Sequence, residues 1–228
     1  MSFIVIEGLD GSGKSTQIDL LKKYFYTNNI DFEFLHFPIT DSPIFGEMVA
    51  KFLRGEFGTI DQVNPYLVAL LYAGDRNNAA NKIRQWLNEE KLVLTDRYVY
   101  SNIAYQCAKI NNHKEKEELY NWILKMEYEY FKIPKPDISI FLDVPFDFIQ
   151  KNLKEKRTGT ERDYLKGKKD IHEASLDFQR AVKETYIKAI ERDESFVSIK
   201  CFDEQNNILS PKEILNKLVS IILNKSFI

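Results

Sequence analysis

Residues 3–15 read Phe3-Ile4-Val5-Ile6-Glu7-Gly8-Leu9-Asp10-Gly11-Ser12-Gly13-Lys14-Ser15. A β-branched apolar run ends at a glycine, and helical spacing of Ile18, Leu21 and Phe25 follows it. The run has the composition of a strand buried on both faces, as in parallel sheets. Gly8 to Ser15 satisfies the pattern of a glycine, four residues, then Gly-Lys-Ser/Thr. Glycines let the backbone curl so that successive N–H groups converge on phosphate oxygens, and the next helix adds its positive end. Lys14 then reaches the β- and γ-phosphates, and the Ser15 hydroxyl holds Mg²⁺. Gly8, Gly11, Ser12, Gly13, Lys14, Ser15 and Thr16 are therefore the expected contacts of a nucleoside triphosphate. By composition alone about one chain in a hundred carries the four constrained positions, and here the strand before and the helix after are also present.

Working outward, four further apolar runs read as strands: Phe32 to Phe37, Leu92 to Asp96, Ile138 to Leu142 and Phe196 to Cys201. Helical spacing falls between them at Pro43–Leu53, from Asn64-Pro65 to about Glu89, at Val99–Lys109, Lys114–Phe131, Phe146–Glu155 and Ile171–Arg192, and after Pro211. Asn64 is a cap residue and Pro65 suits a first helical turn. Strands alternating with helices predict an α/β fold with a parallel sheet covered on both faces. No repeat or linker divides the chain, so residues 1–228 are expected to form one domain.

The 228 residues carry 32 basic and 34 acidic side chains, a net charge of −2. That lacks the basic field of a nucleic-acid binder. Cys107 and Cys201 make neither a disulfide framework nor a zinc site, and read as small buried residues of a reducing compartment. No apolar run nears the ~20 residues of a membrane span, and the N-terminus enters a strand rather than a signal peptide. A cytoplasmic location is expected.

A phosphate loop serves many enzymes, and the rest of the chain narrows them. Asn81-Lys82 and Asn216-Lys217 lack the following Asp of a GTPase base-reading motif. Asp96 is followed by Arg97 rather than by Glu, as the acidic pair of an ATP-driven machine would require. A carboxylate beside a cation at a strand tip suits a site where metal and substrate phosphate meet.

The run from Phe3 to Gln17, Asp96-Arg97-Tyr98, Asn64-Pro65-Tyr66, Leu71 to Arg76, Ser101 through Gln106, and Pro136-Asp137 through Pro145 together resemble the thymidylate kinases, from residue 3 to about 190. The resemblance implies a five-stranded nucleoside-monophosphate kinase fold with a mobile lid, and transfer of the ATP γ-phosphoryl group to dTMP. It implies that Asp10 lies at the sugar 3′ side, Tyr72 on thymine, Arg76 on the base edge and Arg97 on the dTMP phosphate. Asp96 would position Mg²⁺, Tyr105 would lie under the deoxyribose, Gln106 near the base, and Ser101 would also belong to the dTMP site. It also implies a homodimer. Read from the residues alone, Tyr72 suits core packing as well, and Arg76 suits a surface pair, with Glu47 or a nearby acid. The alternatives in function are a kinase of this fold with another nucleotide or nucleoside acceptor, and a nucleotide-binding protein with little turnover.

The sequence departs from the resemblance in two places. Phe37-Pro38 is followed by Ile39-Thr40-Asp41 where an arginine gripping the acceptor phosphate is common, leaving Arg97 alone or Arg54 as its substitute. Gly11 stands where some members carry an arginine inside the phosphate loop, so the catalytic cation is expected from the lid. The lid candidate, residues 151–170, has eight basic and four acidic residues, +4 in a chain of net −2. Its arginines are Arg157 and Arg162, with Arg157 preferred as catalytic. The same stretch also reads as a solvated basic loop.

Overall fold

The computed structural model describes residues 2–154, 160–168, 170–173 and 175–224, without the side chains of 160–162 and 224. β1 (Phe3–Glu7) is buried at every residue and lies at the centre of the sheet. β2 (Phe32–His36), β3 (Leu92–Asp96), β4 (Ile138–Asp143) and β5 (Phe196–Lys200) complete a five-stranded sheet in the order β2-β3-β1-β4-β5. Every strand pair is parallel. Ile6 is opposite Asp96 and Glu7 is opposite Phe141. The carboxyl ends of β1 and β3 therefore finish side by side, which is where open α/β sheets bind ligands.

The helices are α1 (Lys14–Thr27), α2 (Phe45–Leu53), α3 (Pro65–Asn88), α4 (Val99–Cys107), α5 (His113–Leu124), α6 (Phe146–Lys154), α7 (Leu176–Ile190) and α8 (Pro211–Asn224). Asn64 caps α3 as expected, its side chain accepting the Tyr66 N–H at 2.9 Å. Cys107 and Cys201 are buried free thiols.

Helix boundaries differ from the sequence pattern for a visible reason in three places. α2 starts at Phe45 rather than Pro43, because Ile44 holds a positive φ of 65° that no helix continues through. The helix expected to run to Phe131 is α-helical only to Leu124; Lys125–Tyr130 widen into a π-turn. The expected helix Ile171–Arg192 is broken: Ile171–Glu173 form a 3₁₀ turn, and Ser175 starts α7 by accepting the Phe178 N–H.

α4 has no cap of its own, since its first flanking residue is Tyr98. Glu7, at the end of β1, does the capping instead. Its Oε1 accepts the N–H groups of Tyr98 at 2.9 Å and Ser101 at 3.1 Å, and its Oε2 accepts the hydroxyls of Ser101 at 2.5 Å and Tyr186 at 2.9 Å. A carboxylate at a helix N-terminus also meets the positive end of the helix dipole.

The loop after β2 is held by Asp75 of α3, which accepts the Ile39 N–H at 2.8 Å and the Ser42 hydroxyl at 2.9 Å. Gly46 of α2 lies so close beneath this loop that a Cβ would stand 2.0 Å from the Ile39 carbonyl oxygen and 2.4 Å from Ser42 Oγ. Because the first of these is backbone, relief requires moving the loop. Gly46→Ala is expected to cost about 1–3 kcal/mol and to lower the thermal unfolding midpoint by several degrees. An unchanged midpoint would mean that the loop yields freely.

Candidate active site

Gly11 and Gly13 have φ of 79° and 83°, a left-handed backbone that glycine adopts without strain. These two residues turn the chain from β1 into α1, whose first residue is Lys14. The Lys14 ammonium donates to the carbonyls of Gly8 at 3.1 Å and Leu9 at 3.0 Å. Burial, helped by the positive charge of Arg97, lowers its pKa to about 8. Ser12 Oγ is buried without a partner. From α6, the Asn152 amide donates to the Gly11 carbonyl at 2.7 Å and braces the loop.

The loop opens onto a cavity of about 560 Å³ at the carboxyl ends of β1 and β3. Asp96 sits at its floor, with Oδ2 3.0 Å from His36 Nδ1 and Oδ1 buried without a partner. Burial opposes its ionisation, but the His36 hydrogen bond and the charge of Lys14 outweigh it, so the carboxyl titrates below its usual range. Arg97 holds a φ of 66° while its N–H donates to the Ile6 carbonyl at 2.9 Å. The left-handed turn aims its guanidinium back over the phosphate loop. There it donates to Asp10 at 2.6 Å and to Ser101 Oγ at 3.1 Å. Tyr105 completes the cluster by donating its hydroxyl to the second Asp10 oxygen at 2.7 Å.

A second wall of the cavity is built by Arg76, Asn102 and Gln106. The Arg76 Nε and Nη2 groups donate to Glu127 at 2.6 Å each, and both side chains are buried. Arg76 Nη1 makes no hydrogen bond among the described residues. Asn102 Nδ2 lies between two acceptors, Ala69 O and Glu127 Oε1, at 3.0 Å each, which leaves Oδ1 unpartnered. Gln106 Oε1 accepts from Lys109 at 2.6 Å; an ammonium only donates, so the amide is oriented with Nε2 unpartnered. Arg76 and Asn102 share Glu127, and Gln106 follows Asn102 by one helical turn. The wall thus holds an unpartnered donor, acceptor and donor in sequence, with Asn102 Oδ1 and Gln106 Nε2 buried just behind its surface.

The far side is closed by Tyr164, Asp170, His172 and Glu173. Arg54 donates to the Tyr164 carbonyl at 2.7 Å and to Glu56 at 2.6 Å. Tyr164 and Ile171 pack with Tyr72 against the cluster of Val49, Phe52, Leu53 and Val68. Asp170 faces the cavity, accepting the Tyr164 hydroxyl at 2.9 Å and the His172 N–H at 2.8 Å. Burial, reinforced by the negative charge of Asp10, raises its pKa to about 7.

The structure brings most of the expected residues to one cavity: Asp10, Gly11 through Thr16, Tyr72, Arg76, Asp96, Arg97, Ser101, Tyr105 and Gln106. Gly8 lies beneath the loop, where a Cβ would stand 2.7 Å from Ser12 Oγ. The reading of Arg76 as a surface pair with Glu47 is corrected: its partner is the buried Glu127, and Glu47 pairs with Lys51 at 2.7 Å. Tyr72 both packs and lines the cavity. The Ser101 hydroxyl is engaged by Glu7, Tyr186 and Arg97. Arg54 turns to Tyr164, and among the described residues Lys14, Arg76 and Arg97 are the Lys and Arg side chains lining the cavity. Arg157 and the Arg162 side chain lie outside the described residues; the Arg162 backbone belongs to the 3₁₀ turn Thr160–Leu165. Sequence reasoning missed Glu7, Asn102, Glu127 and Asp170. Glu127 had left a signal, being an acid on the same helical face as the apolar Tyr120 and Ile123.

A phosphate loop on a central parallel strand, with a strand-end carboxylate and cations on a shared cavity, defines a nucleotide-binding phosphotransferase. A family model described as thymidylate kinase matches residues 6–210. A probable thymidylate kinase of Thermococcus onnurineus is 32% identical over 225 residues, 96% of each chain. A second, from Pyrococcus horikoshii, is 33% identical over 192 residues, 83% of this chain and 82% of that one. The solved structure of thymidylate kinase from Candida albicans superposes with a TM-score of 0.73 at 25% identity, covering 99% of this chain and 92% of that one. The chain belongs to the thymidylate kinase family.

The state of Asp170 has a consequence for stability. Its folded pKa of about 7 lies above the ordinary 3.8, so the native state binds its proton more tightly. The stabilisation is complete below about 3.8 and is lost as pH rises through about 7. Asp170→Asn carries no such titration. Its unfolding midpoint is expected to gain on that of the parent protein between pH 5 and 8. A constant difference across that range would show that Asp170 is ionised in the docked segment throughout.

Proposed function

We propose that the protein transfers the γ-phosphoryl group of ATP to dTMP, giving dTDP and ADP. Family membership supports the donor and the acceptor, and the observation that carries the base is the wall of Arg76, Asn102 and Gln106. Its unspent groups, Arg76 Nη1, Asn102 Oδ1 and Gln106 Nε2, run donor, acceptor, donor. Thymine presents the complement: the 4-carbonyl, the N3–H and the 2-carbonyl. Cytosine would set an amine against the arginine, and guanine a second amine against the glutamine. Unpaired polar groups of this kind cost about 1–3 kcal/mol each. The pattern does not read the thymine methyl, so dUMP is the acceptor it separates least.

On this reading Arg97 meets the dTMP phosphate and Asp10 and Tyr105 meet the sugar, while Lys14 and the loop amides hold the ATP phosphates. Asp96 Oδ1, buried and without a protein partner, fits a hard cation or a water bound to one. Asp96 and Ser15 would hold Mg²⁺ there, and the ion would neutralise phosphate charge. No described helix is long and apolar enough to cross a membrane; a cytoplasmic location is part of this reading, and the net charge of −2 lacks the basic field of a nucleic-acid binder. Leu67 and Leu70 are exposed one turn apart on α3, which supports a homodimer through that face.

ADP release should depend on dTMP, and to a lesser degree on dUMP, with dCMP and dGMP poor acceptors. ATP binding without acceptor-dependent turnover would sink the assignment. Lys14→Ala should abolish turnover while the unfolding midpoint is kept, because the cation that follows the transferring group is removed; near-normal turnover would separate the loop from the chemistry.

The lid arginine belongs to the same reading. Gly11 supplies no charge, so Arg157, or Arg162 in its place, bridges the transferring group with its planar fork. Alanine at the dominant position should lower kcat by roughly 10³–10⁵ with little change in dTMP affinity. If both single variants and the double variant keep more than about a tenth of kcat, a loss under ~1.4 kcal/mol, the lid is not catalytic.

A further inference from the structure

Glu127 is a carboxylate with no exposed surface, on the helical face that also carries the apolar Tyr120 and Ile123. It emerges from the π-turn Lys125–Tyr130, closed by the Phe131 N–H donating to the Met126 carbonyl at 2.9 Å. Single π-turns inside helices are frequent at functional sites. A buried ion pair is a poor device for stability, since apolar side chains of like volume often serve as well or better. Its retention therefore needs another reason, and the partners supply one. Glu127 Oε1 accepts from Arg76 Nη2 at 2.6 Å and from Asn102 Nδ2 at 3.0 Å, while Oε2 accepts from Arg76 Nε at 2.6 Å.

We infer that Glu127 is the positioning residue for acceptor selection. By holding two guanidinium donors it leaves Nη1 as the spare donor, and by holding the Asn102 nitrogen it leaves Oδ1 as the spare acceptor, both on residues that line the cavity. One carboxylate thus sets the first two letters of the donor–acceptor–donor wall without touching the acceptor. The inference rests on the proposed reading of that wall.

In Glu127→Gln one of the two oxygens becomes an amide nitrogen. That nitrogen cannot accept from Arg76, and when it faces Asn102 it favours the flipped amide. The KM for dTMP should rise about tenfold to a hundredfold, kcat should stay within about threefold, and the preference for dTMP over dCMP should fall in step with KM. ADP affinity and the unfolding midpoint serve as readouts of a merely structural role. A folded Glu127→Gln protein with dTMP KM and preference within twofold of the parent overturns the inference. So does a loss of ADP affinity equal to the loss for dTMP. If Glu127→Gln does not fold, Glu127→Asp carries the test, since it keeps the charge but draws it back from both partners. A raised KM with weakened preference supports positioning, and parent-like values overturn it. Absence of dTMP turnover in the parent protein would instead sink the functional assignment.

Discussion

The site depends on a carboxylate that stands behind the cavity rather than lining it. Glu7 closes the central strand, and its two oxygens receive two backbone N–H groups and two hydroxyls. Burial pushes its pKa up, while Ser101, the charge of Arg97, Tyr98 and Tyr186 pull the other way. Four donors around a carboxylate with no exposed surface tie β1 to the start of α4 and to α7. The cavity-lining residues of α4, from Ser101 through Asn102 and Tyr105 to Gln106, inherit their placement from that cap. The strained φ of Arg97 is held between the same two elements: its N–H is fixed on β1 and its side chain on α4. Backbone strain of this kind persists only where the surroundings over-determine it.

Around that frame the charges are arranged as neighbours of opposite sign. Asp10 and Arg97 lie 2.6 Å apart, and Lys14 feels Asp96, Asp10 and Glu7 while Arg97 repels it. The lowered pKa of Lys14 follows from this balance: burial and Arg97 exceed the three carboxylates together. Phosphate oxygens brought against Lys14 and Arg97 would supply the anionic charge that the carboxylates only partly provide. Charged hydrogen bonds in a buried setting are the strong ones, so the cluster is suited to bind phosphate rather than to rest as a self-sufficient salt network. The left-handed Arg97 is what brings both cations to one cavity.

The strands and the phosphate loop could be read from sequence because they rest on local rules. An apolar run, glycines at left-handed positions and a lysine at the helix start are all contiguous. The expected strands agree with the observed ones to within a residue or two, and Asn64 caps α3 where its type and the following proline indicate. Two of the helix ends that failed were decided by side-chain partners that an apolar pattern does not encode. Lys125–Tyr130 leave the α-helix where Glu127 turns to Arg76, 51 positions earlier. The break before α7 occurs where Asp170 captures the His172 N–H and Gln179 captures its carbonyl. Periodicity carries no information on such pairings. The same limit applies to Arg76: its helical spacing with Tyr72 is visible, but not the buried acid that decides which of its nitrogens are free.

Arg54 shows how a residue type can suggest the wrong partner. With no arginine after Phe37-Pro38, a nearby guanidinium is the natural substitute on the acceptor phosphate. The structure gives it to the opposite wall. Its Nη1 reaches the Tyr164 carbonyl at 2.7 Å, its Nε reaches Glu56 at 2.6 Å, and its side chain is 6% exposed. Lys168 lies 3.8 Å from the same Glu56, and Ile171 packs near Gly55. The turn after α2 is thus a docking surface for the segment that closes the cavity. Toward that segment Arg54 donates to a backbone carbonyl, so this contact does not depend on which side chain stands at position 164. That leaves Arg97 as the cation between phosphate loop and acceptor wall, already bound to Asp10 and Ser101. On the proposed reading an acceptor phosphate shares Arg97 with Asp10, whereas the wall of Arg76, Asn102 and Gln106 has its own, fully buried ion pair. Arg97 and Arg76 thus have different counter-ions, Asp10 and Glu127, and on the proposed reading phosphate affinity and base selection can change independently.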